Sequence, residues 1–227
     1  MKTGALGKAL LAAAALVVAL PAPVLRAQAE AGPTLVVDYS NPGLLPAHWV
    51  LTLRPDGSGH FRSERGNAPI DASAGFQAAD VDRDVKMSAE FAGHVFETVH
   101  QHKNLNLDCD SHMKVAFQGW KKLTYNGPDG TGSCTFNYAK DKDMESLGES
   151  LVAVAEAIVE GARLEILLQH DRLGLDKEME YLVEAAGDGR AQQICTIRGI
   201  LERLADDPEV MERVRKRARV LLARSQG

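Results

Sequence analysis

The stretch Asp143–Leu168, DMESLGESLVAVAEAIVEGARLEILL, decides the fold. Its apolar residues Met144, Leu147, Leu151, Val154, Ala155 and Ile158 recur three and four apart, and Ala162, Leu164, Leu167 and Leu168 continue the pattern. Such spacing places one apolar stripe on a long helix, and it puts the N-cap at Asp143. Nothing upstream holds that period for as long. The chain therefore changes character near 140–141, with strands and turns before it and helices after it.

Three further helices follow. Leu173-Gly174-Leu175 breaks the first, and Asp176 caps a second over Lys177 to about Ala186. Ile194, Ile197, Ile200, Leu201 and Leu204 stripe a third. Asp207-Pro208 predicts the start of the last, with the cap at Asp207 and proline at the first helical position. Short connections make neighbouring helices antiparallel.

The upstream half opens with an expected strand at Thr34–Tyr39. His48–Arg54 alternates, with Trp49, Leu51 and Leu53 on one face. Pro55-Asp56-Gly57-Ser58-Gly59 then turns the chain into His60-Phe61-Arg62, a hairpin signal. A near-copy, Pro128-Asp129-Gly130-Thr131-Gly132, predicts a second hairpin whose return strand carries Cys134, Phe136 and Tyr138 on one side. Each loop has one carboxylate and no EF-hand spacing, so these are turns and not calcium loops. Between the hairpins, Ser88 caps a helix running to about His102, striped by Phe91, Val95, Phe96 and Val99. Met113–Phe117 alternates and is expected to resume the sheet, while 64–80 reads as an exposed loop. Strands first and helices later argue an α+β protein: a small antiparallel sheet with two hairpins and one helix, then a bundle of about four helices.

Residues 1–29 read as a secretory signal peptide, giving a division into 1–29, a β-rich half 30–140 and a helical half 141–227. Lys2 and Lys8 precede or open an apolar run from Ala9 to Leu20, and Ala27-Gln28-Ala29 offers a small-x-small cleavage site. The run is shorter than the roughly 20 residues a membrane span needs. Cleavage is expected to deliver the protein to the periplasm or the extracellular space, with no membrane insertion afterwards. The alanine-heavy composition reads as bacterial. The whole chain carries a net charge of −5. Losing Lys2, Lys8 and Arg26 makes the remainder more acidic, which disfavours binding nucleic acid or anionic lipid through its overall field.

In an oxidising compartment the three cysteines predict one disulfide and one free thiol. Cys109 and Cys134 both lie in the β half and are expected to pair, contributing roughly 3–4 kcal/mol by closing a loop. Cys195 lies in a helical stripe and reads as a small buried hydrophobe.

The densest group of chemically capable side chains is His100, His102, Asp108, Cys109, Asp110 and His112. Zinc or copper would take such donors, and His100, His102, Asp108 and His112 are the candidate metal ligands. Two residues apart on a helix, His100 and His102 diverge by about 200°, so they converge only if the helix ends first. The plainer reading is a polar helix terminus followed by a disulfide-stapled loop.

No catalytic set emerges. Ser111-His112-Met113-Lys114 fits Ser-x-x-Lys, but it falls in a loop and lacks the companion motifs of that chemistry. Arg213, Arg215, Lys216, Arg217 and Arg219 make the last helix basic, and a solvated face is the expectation. The sequence thus predicts an exported, non-enzymatic binding or accessory protein of the cell envelope, without a cofactor, acting on an unidentified protein or small molecule. The alternative is a metal-binding protein or metal-dependent hydrolase using the His100–His112 cluster.

Overall fold

The structure is a computed structural model that describes residues 32–66, 77, 78 and 80–225. The segment 1–29, read above as a signal peptide, and most of the 64–80 loop lie outside the described residues.

Six strands form one antiparallel sheet: β1 (Thr34–Ser40), β2 (His48–Leu53), β3 (Ser58–Glu64), β4 (Asp82–Lys86), β5 (Trp120–Gly127) and β6 (Gly130–Phe136). Their spatial order is β4-β3-β2-β1-β5-β6. Both predicted hairpins are present, as β2–β3 and β5–β6. The crossover from edge strand β4 to β5 carries helix α1 (Ala89–Gln101), capped by Ser88 as expected. The alternation of each strand settles which face is covered. Leu35, Leu51, Phe61, Leu123, Tyr125 and Phe136 point inward and form one core with α1 and α2. The opposite face carries His48, His60, Arg62, Lys122 and Thr124, none of them buried.

The rest is helical: α2 (Lys142–His170), α3 (Gly174–Asp188), α4 (Arg198–Asp206) and α5 (Glu212–Arg224). The fold is α+β, as the sequence predicts. A second core gathers the far side of α2, through Ala157, Leu164 and Leu167, with α3, α4 and α5. Gly161 makes this packing close, because a Cβ there would lie 2.2 Å from Cγ2 of Ile197. No helix among the described residues is long and apolar enough to cross a membrane.

Several local expectations are corrected. Met113–Phe117 is not a strand. The outer edge of β6 is already covered by the turn at Lys103–Leu105, where a Cβ on Gly132 would meet Asn104 O at 2.1 Å. An alternating segment that follows has no ladder to join. Conversely, the sequence does not predict β4, since four of the five residues in Asp82-Arg83-Asp84-Val85-Lys86 are charged. It is an edge strand with one buried side chain, Val85.

Helix α2 is capped by Asp141 and not Asp143, with the carboxylate accepting from the backbone of Asp143 and Met144. Helix α3 starts at Gly174, which places Asp176 inside its first turn. The third stripe divides into a 3₁₀ turn at Ile194–Ile197 and then α4. Asp207-Pro208 makes a turn, not a helix start: Asp207 accepts from Glu209 N at 2.8 Å and from Val210 N at 3.1 Å. Val210 is buried there, and α5 begins only at Glu212.

The basic helix is not simply solvated either. Asp176 accepts from Arg213 Nε at 2.5 Å and from Arg217 Nη1 at 2.7 Å. Arg215 and Arg219 both pair with Glu212. The carboxylate that sequence reading assigns to a cap instead joins α3 to α5.

The disulfide joins Cys109 to Cys134, both buried, across 25 residues of chain. It fastens the loop after α1 to β6.

Two outcomes follow. Replacing both Cys109 and Cys134 by serine should cost about 3 kcal/mol of unfolding free energy, read from urea denaturation. Arg213→Gln with Arg217→Gln should cost about 1–2 kcal/mol by leaving Asp176 unpaired, whereas Lys216→Gln should change stability by less than about 0.5 kcal/mol.

Candidate functional site

The four candidate metal ligands are placed at three separate positions. Helix α1 ends at Gln101, and Lys103, Asn104 and Leu105 all take positive φ, which swings the chain away. His100 stays on the helix, facing Asn104 Oδ1 at 2.9 Å and Asp129 Oδ2 at 3.2 Å, edge-on to Tyr125. His102 turns toward the start of α2, donating from Nδ1 to Thr98 O at 2.8 Å with Nε2 3.1 Å from Asp141 Oδ1. Asp108 and His112 pair with each other in the following loop, at 3.1 Å. The His112 ring, with help from Lys140, holds the Asp108 carboxyl below the usual carboxylate range.

Among the described residues, one set of three donor atoms lies close enough to share an ion: His102, Asp141 and Asp143, all within 4.8 Å of one another. His102 alone of the four sequence candidates takes part. Because Nδ1–H is committed to Thr98 O, Nε2 faces Asp141 either as the N–H of an imidazolium or as a lone pair toward a cation. The setting is unfavourable for the second, since these carboxylates sit at the N-terminus of α2, where the helix dipole is positive.

One of several concavities among the described residues is elsewhere. It lies against α2, where the end of the sheet and the C-terminus of α3 diverge, and encloses about 460 Å³. Val152, Ala153, Glu149 and Glu156 of α2 form its floor, Gln118 and Lys121 one wall, and Tyr181 with Asp188–Arg190 the other. That volume is in the range of small-molecule sites. A neighbouring depression of about 550 Å³ shares Glu149 and continues toward Met113, Tyr138 and Glu145.

Lys121 is the unusual residue. It lies on the inward face of β5, in line with Leu123 and Tyr125 and opposite Phe136, and is 3% exposed. Its stem passes α2 at Gly148, where a Cβ would lie 2.9 Å from Lys121 Cδ. The ammonium stands 5.4 Å from the centroid of Phe136 and donates to Asn137 O at 3.0 Å. Burial pushes its pKa down, and the fields of Glu145 and Glu149 oppose the shift. An ammonium has three N–H groups, and this one donates to a single acceptor among the described residues, Asn137 O.

Opposite, Tyr181 OH donates to Glu156 Oε1 at 2.6 Å, and Arg190 lies 5.2 Å over the Tyr181 ring while pairing with Asp188 at 2.8 Å. Burial, followed by the Glu156 carboxylate, pushes the Tyr181 phenol up.

Glu145, Glu149, Glu156, Glu160 and Arg163 belong to one helical stripe of α2, in which Glu149 is exposed, Glu156 and Arg163 are half-buried, and Glu145 and Glu160 are buried. At one end, Glu145 accepts from Ala139 N through Oε2, and its buried Oε1 has no partner among the described residues. At the other, Glu160 and Glu178 are 7% and 6% exposed, and Arg163 Nε lies 3.0 Å from Glu178 Oε2. Burial first, then the hydrogen bond with Glu178, pushes the Glu160 carboxyl up to about 10. This favours the protonated form of Glu160 beside the Glu178 carboxyl.

Sequence reading missed this stripe, because its glutamates look like a solvated face. It also missed Lys121, although the alternation Lys121, Leu123, Tyr125 carried the signal. Cys195 is the free thiol, half-buried near Lys86 O, and burial pushes its pKa up.

No protein-family model matches the chain, and comparison with curated proteins finds no match.

The folded state binds the Glu160 proton more tightly than the unfolded chain, whose carboxyl titrates near 4.5. Its contribution is full below that value and is lost as pH rises through the folded pKa, so stability declines from about pH 5 toward about pH 10. Glu160→Gln, which stays neutral, should flatten that decline and raise the urea midpoint at about pH 9, with little change near pH 5.

Proposed function

We propose that this chain is an exported, non-enzymatic binding or accessory protein of the cell envelope, and that the cleft on α2 is its ligand site. One observation carries the reading: a buried ammonium, Lys121, lines a cleft of about 460 Å³ with one hydrogen-bond acceptor, Asn137 O, among the described residues. Burying a cation is costly unless it is paired. A ligand carboxylate or carbonyl beside Lys121 supplies the missing acceptors, with Gln118 as a neighbouring polar contact. Export is supported by the charged-then-apolar order of residues 1–29 and by the Cys109–Cys134 bond, which suits an oxidising compartment.

The binding reading fits the state of the cleft's own groups. Tyr181 is committed to Glu156, and Arg190 to Asp188 and the Tyr181 ring. These are shaping contacts that fix the wall of a pocket. The alternative, a divalent-cation protein, rests on the Nδ1–Thr98 bond that aims His102 Nε2 at Asp141.

Native mass spectrometry of protein recovered from an exporting host separates the two. The binding reading expects a retained small molecule, or a raised melting midpoint with succinate, citrate or glutamate, and loss of either in Lys121→Met. A zinc or other metal adduct lost in His102→Ala would favour the alternative. A melting midpoint that none of the three acids moves, with no retained mass, would overturn the cleft assignment.

A further inference from the structure

We propose that the cleft on α2 selects a small zwitterion, a ligand that brings an ammonium together with its carboxylate, as a free amino acid or a short peptide does. This rests on the binding reading above and adds the ligand chemistry that reading leaves open.

The charges around the cleft are the starting point. The depression of about 460 Å³ and its neighbour of about 550 Å³ share Glu149, which stands between them. Five charged residues line the first: Lys121 and Arg190 against Glu149, Glu156 and Asp188. Three of the five are already answered. Asp188 holds Arg190 at 2.8 Å, with Glu184 at 3.8 Å from the same guanidinium, and Glu156 accepts from Tyr181. In the second depression Lys140 is drawn to Asp108 at 3.4 Å, and Lys142 is flanked in the sequence by Asp141 and Asp143.

What is left over is specific. Lys121 has two N–H groups beyond the one given to Asn137 O. Glu149 is exposed and has neither a hydrogen bond nor an ion pair among the described residues. Glu145, which lines the second depression, is 8% exposed, and its Oε1 meets no donor among the described residues. The groove therefore holds unused donors on one side and two under-used carboxylates on the other.

These groups decide what fits. Glu145 and Glu149 lie one helical turn apart, where like charges repel, and the fields of both reach Lys121. A carboxylate that docks on Lys121 alone brings a third negative charge against a single ammonium. A ligand ammonium at Glu149 removes that conflict, because it gives the exposed carboxylate a partner and offsets Glu145 behind it. Hydrogen bonds between charged groups are the stronger kind, so both ends of the zwitterion gain. Val152, Ala153 and the Tyr181 ring offer apolar surface to the carbon skeleton between them.

Glutamate and glutarate share a carbon chain and both carboxylates, and differ by the α-ammonium. Titration calorimetry on the exported protein should find glutamate bound roughly tenfold tighter than glutarate, or more. Glu149→Gln should abolish that preference by weakening glutamate and sparing glutarate, with the ligand-free melting midpoint unchanged. Lys121→Met should weaken both acids. Alanylglutamate separates the two sources: tighter binding than glutamate assigns the site to a peptide, and weaker binding assigns it to the free amino acid. Equal affinity for glutamate and glutarate, or a preference that survives in Glu149→Gln, would overturn the zwitterion proposal and leave the cleft as a plain carboxylate site. Binding of neither acid would overturn the cleft assignment itself, and this proposal with it.

Discussion

Everything in this molecule leans on α2. Its 29 residues extend roughly 43 Å and are apolar on two sides at once. Leu151, Val154 and Ile158 close the core under the sheet, while Ala157, Leu164 and Leu167 close the core of the helical half. A helix serving two cores cannot rotate to improve one contact without harming the other. Its small residues set the approach distances: Gly148 admits Lys121 and Phe136 on one side, and Gly161 admits Ile197 on the other. Each of these glycines weakens the helix by about 1 kcal/mol relative to alanine. Burying a side chain such as Leu151 contributes about 1.5–3 kcal/mol, so the close packing outweighs the loss.

Two apolar sides leave α2 only one stripe for polar residues, and the ends of that stripe are covered by other elements. The glutamates there are consequently treated in different ways. Glu149 and Glu156 reach the cleft. Glu160 meets a second carboxyl on α3 and keeps its proton. Glu145 caps the backbone at Ala139, near the buried ammonium of Lys121, without a direct ion pair. Ionising both members of the Glu160–Glu178 pair in that setting would leave two like charges with Arg163 as the facing cation, and desolvation makes that the dearer arrangement. Proton retention is the cheaper solution. The cleft is thus a by-product of geometry: it is the length of stripe that neither the sheet nor α3 covers.

Much of the architecture was legible in the sequence because it depends on period and punctuation. The α2 stripe, both Pro-Asp-Gly hairpins, the Ser88 cap and the cysteine pairing are all local signals or follow from the compartment. What failed has a common cause. Asp143, Asp176 and Asp207 each look like a cap, but a carboxylate is chosen by the donors that reach it. Asp141 lies nearer the free N–H groups of α2, and Asp176 is claimed by arginines 37 and 41 residues away. Strand β4 is held by its neighbour β3, which no composition announces. The site was harder still. Lys121 was readable from alternation alone, but its burial depends on Gly148, in a different half of the chain. The histidines misled for the opposite reason: proximity in sequence was undone by three consecutive residues with positive φ.

The same reversal of direction after α1 explains why an apolar loop is left in water. Once the Lys103–Leu105 turn has covered the edge of β6, the chain must cross to the other end of β5 before it can re-enter the sheet. The disulfide fixes where that crossing begins, and Tyr39 and Asn137 fix where it ends. A segment tied at both ends and denied a ladder has no core to bury its side chains in. Polar residues would suit such a path, yet Met113, Val115 and Phe117 occupy it and Trp120 ends it. Folding gains little from Met113 and Phe117 there, at 64% and 50% exposed, while Val115 and Trp120 are partly covered.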